Sequence, residues 1–274
     1  MTAADTYRDL VQEREQQQAQ LATPLTEARW ARYAPGYRFD PYREQEPQLA
    51  AALEYVRPDD EIIEVGGGAG RIGLPLALRA RSLLNVEPSA AMRRQFQICI
   101  DEHRITNART LASIWPTGAE LNADVVLTVD VTYFIEEIEP FVRAMHEASR
   151  RRVMILTWTV PPPNVNAELF RIAFGVDEAP SPGFRELLPV IWELGITPDV
   201  RVLDEQFTWP ERLPTDEVTA LRFALSELEP SDEQTASNRI RAALPHLYER
   251  RGEVWQPVWR TPSQAMLITW STSS

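Results

Sequence analysis

Glycines 66, 68 and 70 stand two apart, with Gly67 between the first two, just past Ile62, Ile63 and the acid Glu64. A backbone without Cβ atoms turns tightly at the end of a buried strand and comes close to a bound ligand. Arg71 to Leu78 reads as a helix that starts at this turn, so its free N–H groups would face the same ligand. A second acid, Glu87, closes another apolar run, Ser82 to Val86. A third group, Asp130 and Tyr133, follows the run Asp124 to Thr128, and Trp158 ends a further one. All of these would gather at the carboxyl edge of a sheet, where open α/β folds bind ligands. Asp130 is a candidate to orient an amine or hydroxyl, or merely starts a turn. Tyr133 and Trp158 offer rings that shape a pocket or pack in the core.

The elements that must position these residues alternate as βα units. Strands are expected at Glu61–Val65, Ser82–Val86, Arg109–Leu111, Asp124–Thr128 and Arg152–Trp158. Helices are expected at Arg71–Leu78, from Ser89 as N-cap to about Asn107, and at Ile138–Ser149. Val153 to Leu156 is a continuous apolar run, as in a strand buried on both faces. Beyond Pro161-Pro162-Pro163 the pattern loosens. A short helix is expected at Asn166–Phe174 and another at Phe184–Leu194, which Gly195 ends. A sixth strand is expected at Val200–Trp209. Two helices follow at Pro214–Leu228 and Asp232–Arg250, then a strand pair, Val254–Trp259 with Gln264–Trp270. The division this predicts is a helical N-terminal cap, 1–60, and a core domain, 61–274, with a helical insertion near 214–250 after strand six. The fold class is α/β: a doubly wound, Rossmann-like sheet with an antiparallel last strand.

The run Glu64-Val65-Gly66-Gly67-Gly68-Ala69-Gly70 resembles the first motif of the class I S-adenosylmethionine (SAM) dependent methyltransferases, acid-x-Gly-x-Gly-x-Gly. Glu87 stands where that family has its second landmark, an acid at the end of strand two. Ser113-Ile114-Trp115 occupies the third, without the usual acid. The resemblance covers Leu49 to Leu156 well and extends, by order of elements, to Trp270. It implies the strand order 3-2-1-4-5-7-6, and a preface that covers the cofactor and helps build the substrate pocket. It implies SAM as cofactor, with Glu64, Gly66, Gly67, Gly68, Gly70, Glu87, Ser113, Ile114, Trp115 and Asp130 around it. Glu87 would take the ribose diol, since two hydroxyls can donate to one carboxylate. Ile114 would pack on adenine; Trp115 would stack there or close the core beside Pro116. Arg43 or Arg71 would bind the cofactor carboxylate.

A competing pattern is present. Gly68-x-Gly70-x-x-Gly73 satisfies the dinucleotide fingerprint G-x-G-x-x-G. Three features favour SAM over a nicotinamide cofactor. Glu64 suits a positive amino group better than a pyrophosphate. The first glycine of the competing pattern comes two residues late. Some sixty residues precede the first strand. The implied activity is methyl transfer to an oxygen, nitrogen or carbon of a small molecule. An NAD-type oxidoreductase and a noncatalytic SAM-binding or interaction module are the alternatives.

Methyl transfer from a sulfonium rests largely on positioning. A base is needed only for an acceptor that is protonated at neutral pH. Asp130, Tyr133 and His246 are the catalytic candidates, the last from the second inserted helix. His103 and His146 read as surface or packing residues. Tyr33, Tyr37, Tyr133 and Trp158 are candidates to line the substrate pocket, with Tyr42 in the same aromatic stretch. No metal cluster is visible by spacing, and Cys99 reads as a buried small hydrophobe. A formal charge of −12 argues against a nucleic-acid substrate. No run reaches the length of a membrane span. The polar, acidic start, Met1–Gln20, is unlike a secretory leader. The expectation is a cytoplasmic monomer or homodimer with a small-molecule substrate.

Overall fold

The computed structural model describes residues 1–23, 26–43, 46–203 and 213–272. Among them the strands are β1 Glu61–Val65, β2 Ser82–Val86, β3 Ala108–Leu111, β4 Ala123–Val129, β5 Ser149–Trp158, β6 Asp199–Val202, β7 Tyr248–Arg251, β8 Val254–Pro257 and β9 Ala265–Ser271. Seven form one sheet in the order β3-β2-β1-β4-β5-β9-β6. β1 to β5 are parallel, and β9 runs antiparallel to both β5 and β6. With β9 as the seventh strand, this is the expected 3-2-1-4-5-7-6. The central strands carry Ile62, Ile63, Val125 to Leu127 and Val153 to Leu156, all buried. Branched side chains on both faces suit strands covered on both sides.

Helices are α1 Ala3–Leu21, α2 Glu27–Tyr33, α3 Pro47–Leu53, α4 Gly73–Ala77, α5 Ala90–His103, α6 Ile138–Ala148, α7 Ala167–Phe174, α8 Phe184–Glu193, α9 Glu217–Leu228 and α10 Glu233–Leu247. One core joins α3, α4 and α5 to the sheet through Leu49, Leu74 and Phe96. The opposite face is covered by α1, α6 and α8 through Tyr7, Phe141 and Ile191. A third cluster ties α7, α9 and α10 to Tyr248 and Trp259. No helix among the described residues is long and apolar enough to cross a membrane.

Three expectations are corrected. The helix after the glycine turn begins at Gly73, not Arg71, because Gly70 N–H first returns to Gly67 C=O and closes a tight turn. Strand six spans Asp199–Val202, and residues 204–209 of the expected strand lie outside the described residues. The two C-terminal runs do not pair. β8 folds back on β7 through a turn at Gly252, whose φ is +65°, while β9 enters the main sheet. The expected second inserted helix therefore ends at Leu247, where β7 begins.

Two pieces of the preface approach the glycine turn. α1 is capped by Thr2, and its Tyr7 hydroxyl donates to Thr132 C=O (2.7 Å), just past β4. α2 and the turn Ala34–Tyr37 lie on α5. There Glu27 accepts from the Ala91 N–H (2.7 Å) at the start of α5, and Ala34 packs against Ala69, Ala91 and Met92.

Candidate functional site

The register of β1 on β2 sets Glu64 beside Asn85 and Val65 beside Val86. The chain then turns over both strand ends with φ of +69°, +55° and +89° at Gly66, Gly68 and Gly70, a region that disfavours residues with a Cβ. The turn is clamped from below. Asn85 Oδ1 accepts from Gly67 N–H (3.1 Å), and its Nδ2 donates to Gly68 C=O (3.1 Å). Glu87 accepts from Gly68 N–H (3.0 Å) and from Ser89 N–H (2.8 Å). Gly66 N–H donates to Val86 C=O (2.8 Å) and Gly70 N–H to Gly67 C=O (2.9 Å). The N–H groups of all four glycines in the turn are thus spent within the protein.

Glu64 lies under this turn, 1% exposed. A Cβ on Gly67 would stand 2.2 Å from its Oε2, and one on Gly73 2.0 Å. Only glycine at both places leaves room for the carboxyl. Its Oε2 is buried without a hydrogen-bond partner among the described residues. Burial pushes the Glu64 carboxyl up to about 8, against the pull of Arg71 and the Gly73 N–H, with the nearby Glu87 adding to the rise. Burial raises Glu87 as well, opposed by the amides of Ser89 and Gly68.

At the next strand end Asp130 adopts φ +58° and donates its N–H to Leu156 C=O (3.1 Å). Its Oδ2 accepts from Arg71 Nη2 (2.8 Å), and Gln48 reaches Oδ1 (3.4 Å). Burial raises the Asp130 carboxyl; Arg71, Gln48 and Trp158 hold it down. Arg71 also donates from both Nη atoms to Gln48 Oε1 (3.1 Å each). Glu46, fully buried on its side chain, bonds both Arg43 and Arg71, and Arg43 donates to Arg71 C=O (2.6 Å). Both candidate cations for a cofactor carboxylate therefore converge on one buried acid. Removing one partner of such a pair leaves a buried charge uncompensated.

The other expected residues fall into distinct surroundings. Tyr37, 37% exposed overall, feels both Arg71 and Asp130, and partial desolvation lifts its phenol. Tyr33 ends α2, half-buried. Tyr133 is 1% exposed with its hydroxyl on Thr157 Oγ1 (2.7 Å), and burial holds its phenol protonated well above the usual range. Trp158 is buried beside Asp130. Ile114 is 74% exposed past β3, next to half-buried Ser113, whereas Trp115 turns inward and donates from Nε1 to Phe141 C=O (3.2 Å). His246 is exposed in the last turn of α10. Three residues of the site were given no role in it by the sequence reading: Asn85, Glu46 and Gln48. Asn85 carried a signal, a buried amide one place from the end of an apolar strand. Glu46 carried one too, an acid heading the apolar run Leu49 to Leu53.

No protein-family model matches the chain, and no curated protein does. Solved structures do. YcgJ from Bacillus subtilis is similar at 12% identity, over 83% of this chain and 98% of that one, with TM-score 0.53. A candidate methyltransferase from Bacillus halodurans C-125 gives 10%, 82%, 99% and 0.56. Geranyl diphosphate C-methyltransferase from Streptomyces coelicolor A3(2), solved with Mg2+, geranyl diphosphate and S-adenosyl-L-homocysteine, gives 14%, 91%, 100% and 0.51. The likeness is one of fold: this chain has the class I methyltransferase fold.

Proposed function

We propose that this chain is a SAM-dependent methyltransferase acting on an oxygen, nitrogen or carbon of a small molecule. One observation carries the reading. The four glycines of the turn spend their N–H groups on Asn85, Glu87 and backbone carbonyls, and three acids, Glu64, Glu87 and Asp130, stand around it. A pyrophosphate needs free N–H donors and would meet Glu87 and Asp130 with the wrong sign. A ligand carrying positive charge and a ribose diol has the right one. The buried Glu64 Oε2, without a hydrogen-bond partner among the described residues, is a further acceptor under the same turn.

SAM supplies a methyl group on a positively charged sulfur. The chain's own residues bind, orient and exclude water. Glu87, fixed by two amides, is set to accept from ribose hydroxyls. Ile114 covers an adenine face. Arg71 is the cation nearest the acid set, and Asp130 beside it is oriented to hold an amine or take a proton from a hydroxyl. The residues 1–60 then cap the site, and 61–274 form the catalytic domain with an insertion at 214–250. The acidic balance favours a small acceptor over nucleic acid and fits a cytoplasmic enzyme.

Calorimetry against SAM, S-adenosylhomocysteine and NAD tests the cofactor, and a screen for S-adenosylhomocysteine release across phenols, amines and small acids tests the reaction. SAM is expected to bind and NAD not. Glu87→Ala is expected to weaken SAM by ~1.5–3 kcal/mol, the range for a hydrogen bond to a charged group. Tighter binding of NAD reverses the reading. Tight SAM binding with no turnover across the library favours a noncatalytic module.

A further inference from the structure

The methyl-transfer reading leaves a cavity unused. A cleft of about 690 Å³ lies between the preface and the insertion. Its two sides are tied together by backbone: Thr23 N–H donates to Glu229 C=O and Ser231 N–H to Leu21 C=O, each at 2.9 Å. Arg32 of α2, Arg222 of α9 and Arg241 of α10 all line it. None of the three makes an ion pair or hydrogen bond among the described residues. Arg222 acts on Asp216 only at a distance.

In a chain with 28 basic and 40 acidic side chains, three exposed guanidiniums, unpaired among the described residues, on one open groove are an uneven distribution. Two acids line the cleft with them. Glu229 has contacts of its own, and Glu233 sits in the first turn of α10, where the helix dipole favours a negative charge. Val218, Leu221 and Leu225 of α9 supply an apolar wall, and Val218 is 67% exposed. Guanidinium is planar and forked, which matches phosphate and carboxylate oxygens in pairs. Exposed apolar surface beside such donors complements a ligand with an apolar body and an anionic end. α2 carries Arg32 on this cleft and Glu27 on the Ala91 N–H at the start of α5.

We infer that this cleft binds an amphipathic organic anion, a phosphate or carboxylate on an apolar body, with Arg32, Arg222 and Arg241 on the charged group. The site does not depend on the methyltransferase reading. Its occupant is either the methyl acceptor or a separate anion.

The test titrates the full chain by calorimetry with phenyl phosphate, benzoate and the neutral benzyl alcohol. The two anions are expected to bind and benzyl alcohol not. Arg222→Gln with Arg241→Gln is expected to weaken phenyl phosphate about tenfold to a hundredfold, the range for charge-assisted contacts. Circular dichroism and SAM affinity should stay unchanged in that variant. Arg32→Gln, on a different helix, is expected to weaken the anion on its own. Competitive inhibition of S-adenosylhomocysteine release by phenyl phosphate assigns the cleft to the acceptor; noncompetitive inhibition assigns it to a separate anion. Equal binding of benzyl alcohol, failure of both anions to bind, or undiminished binding by the double variant overturns the inference. Retained phenyl phosphate binding without SAM binding overturns the function and leaves the cleft standing.

Discussion

Glu64 is the residue on which the site's electrostatics turn. Its carboxyl ordinarily titrates near 4.5 and does so near 8 in the fold. The unfolded chain gives up this proton as pH rises through 4.5, while the folded chain keeps it until about 8. Stability from this group is therefore lost between those values, and the loss levels off above 8. Glu64→Gln is expected to remove that dependence. Chemical denaturation from pH 5 to 9 should show the wild type losing ~3–5 kcal/mol more than the variant across the window. Parallel curves would mean that the orphaned oxygen is solvated or paired. Positive charge on a bound cofactor should also favour the ionised form, so SAM is expected to bind with proton release near pH 7. The placement of Glu64 and Glu87 was legible in the sequence because each lies within one residue of the end of an apolar strand. Trp115 and Tyr133 were not, because an aromatic near a strand end packs inward or faces a ligand with the same local sequence. Here Trp115 and Tyr133 point inward, onto Phe141 C=O and Thr157.

At the scale of elements, the strand–turn–helix unit from Glu61 to Ala77 holds two kinds of glycine. Gly67 and Gly73 face the Glu64 carboxyl at distances no Cβ tolerates, 2.2 and 2.0 Å. Gly68 has φ +55° but open space, its nearest would-be neighbour being Met92 Sδ at 3.8 Å. Gly73→Ala and Gly67→Ala are expected to cost ~2–3 kcal/mol through overpacking, and Gly68→Ala ~1 kcal/mol through the left-handed backbone. Urea denaturation gives the ranking. Adding Glu64→Ala to Gly73→Ala should recover part of the loss, whereas additive effects would show that the carboxyl is not the obstacle. The strand and helix order of this unit was readable from periodicity and from the glycines. The true helix start was not, because the Gly70 N–H bond back to Gly67 C=O closes a tight turn ahead of the helix. The pairing of β8 with β7 was hidden for a related reason. The run Val254–Trp259, broken by Pro257, carries no register signal, and the turn at Gly252 sets its partner.

The whole molecule has more than one core, and that division follows the chain only in part. The sheet is covered on both faces by helices, the preface included, while the insertion buries its apolar side against α7. Trp259 is the largest fully buried side chain. It is 2% exposed, donates from Nε1 to Asn166 Oδ1 (3.2 Å) and stands edge-on to Tyr248 at 4.7 Å. It belongs to the third cluster and to neither sheet core. Stability is not uniform across such an arrangement, and a cluster with its own contacts can open by itself. Trp259→Ala is expected to cost ~3–5 kcal/mol, the range for a large aromatic deleted from a core. That loss should fall on the insertion. Hydrogen exchange read by mass spectrometry should show α9 and α10 losing protection while β1, β2 and β4 keep theirs. SAM, held at the strand ends in the proposed function, should then raise protection of the sheet and of residues 27–43 without restoring α9 and α10 in the variant. A uniform loss across sheet and insertion would make the chain one cooperative unit. The anion cleft would then open only with the sheet, because its walls belong to both the preface and the insertion.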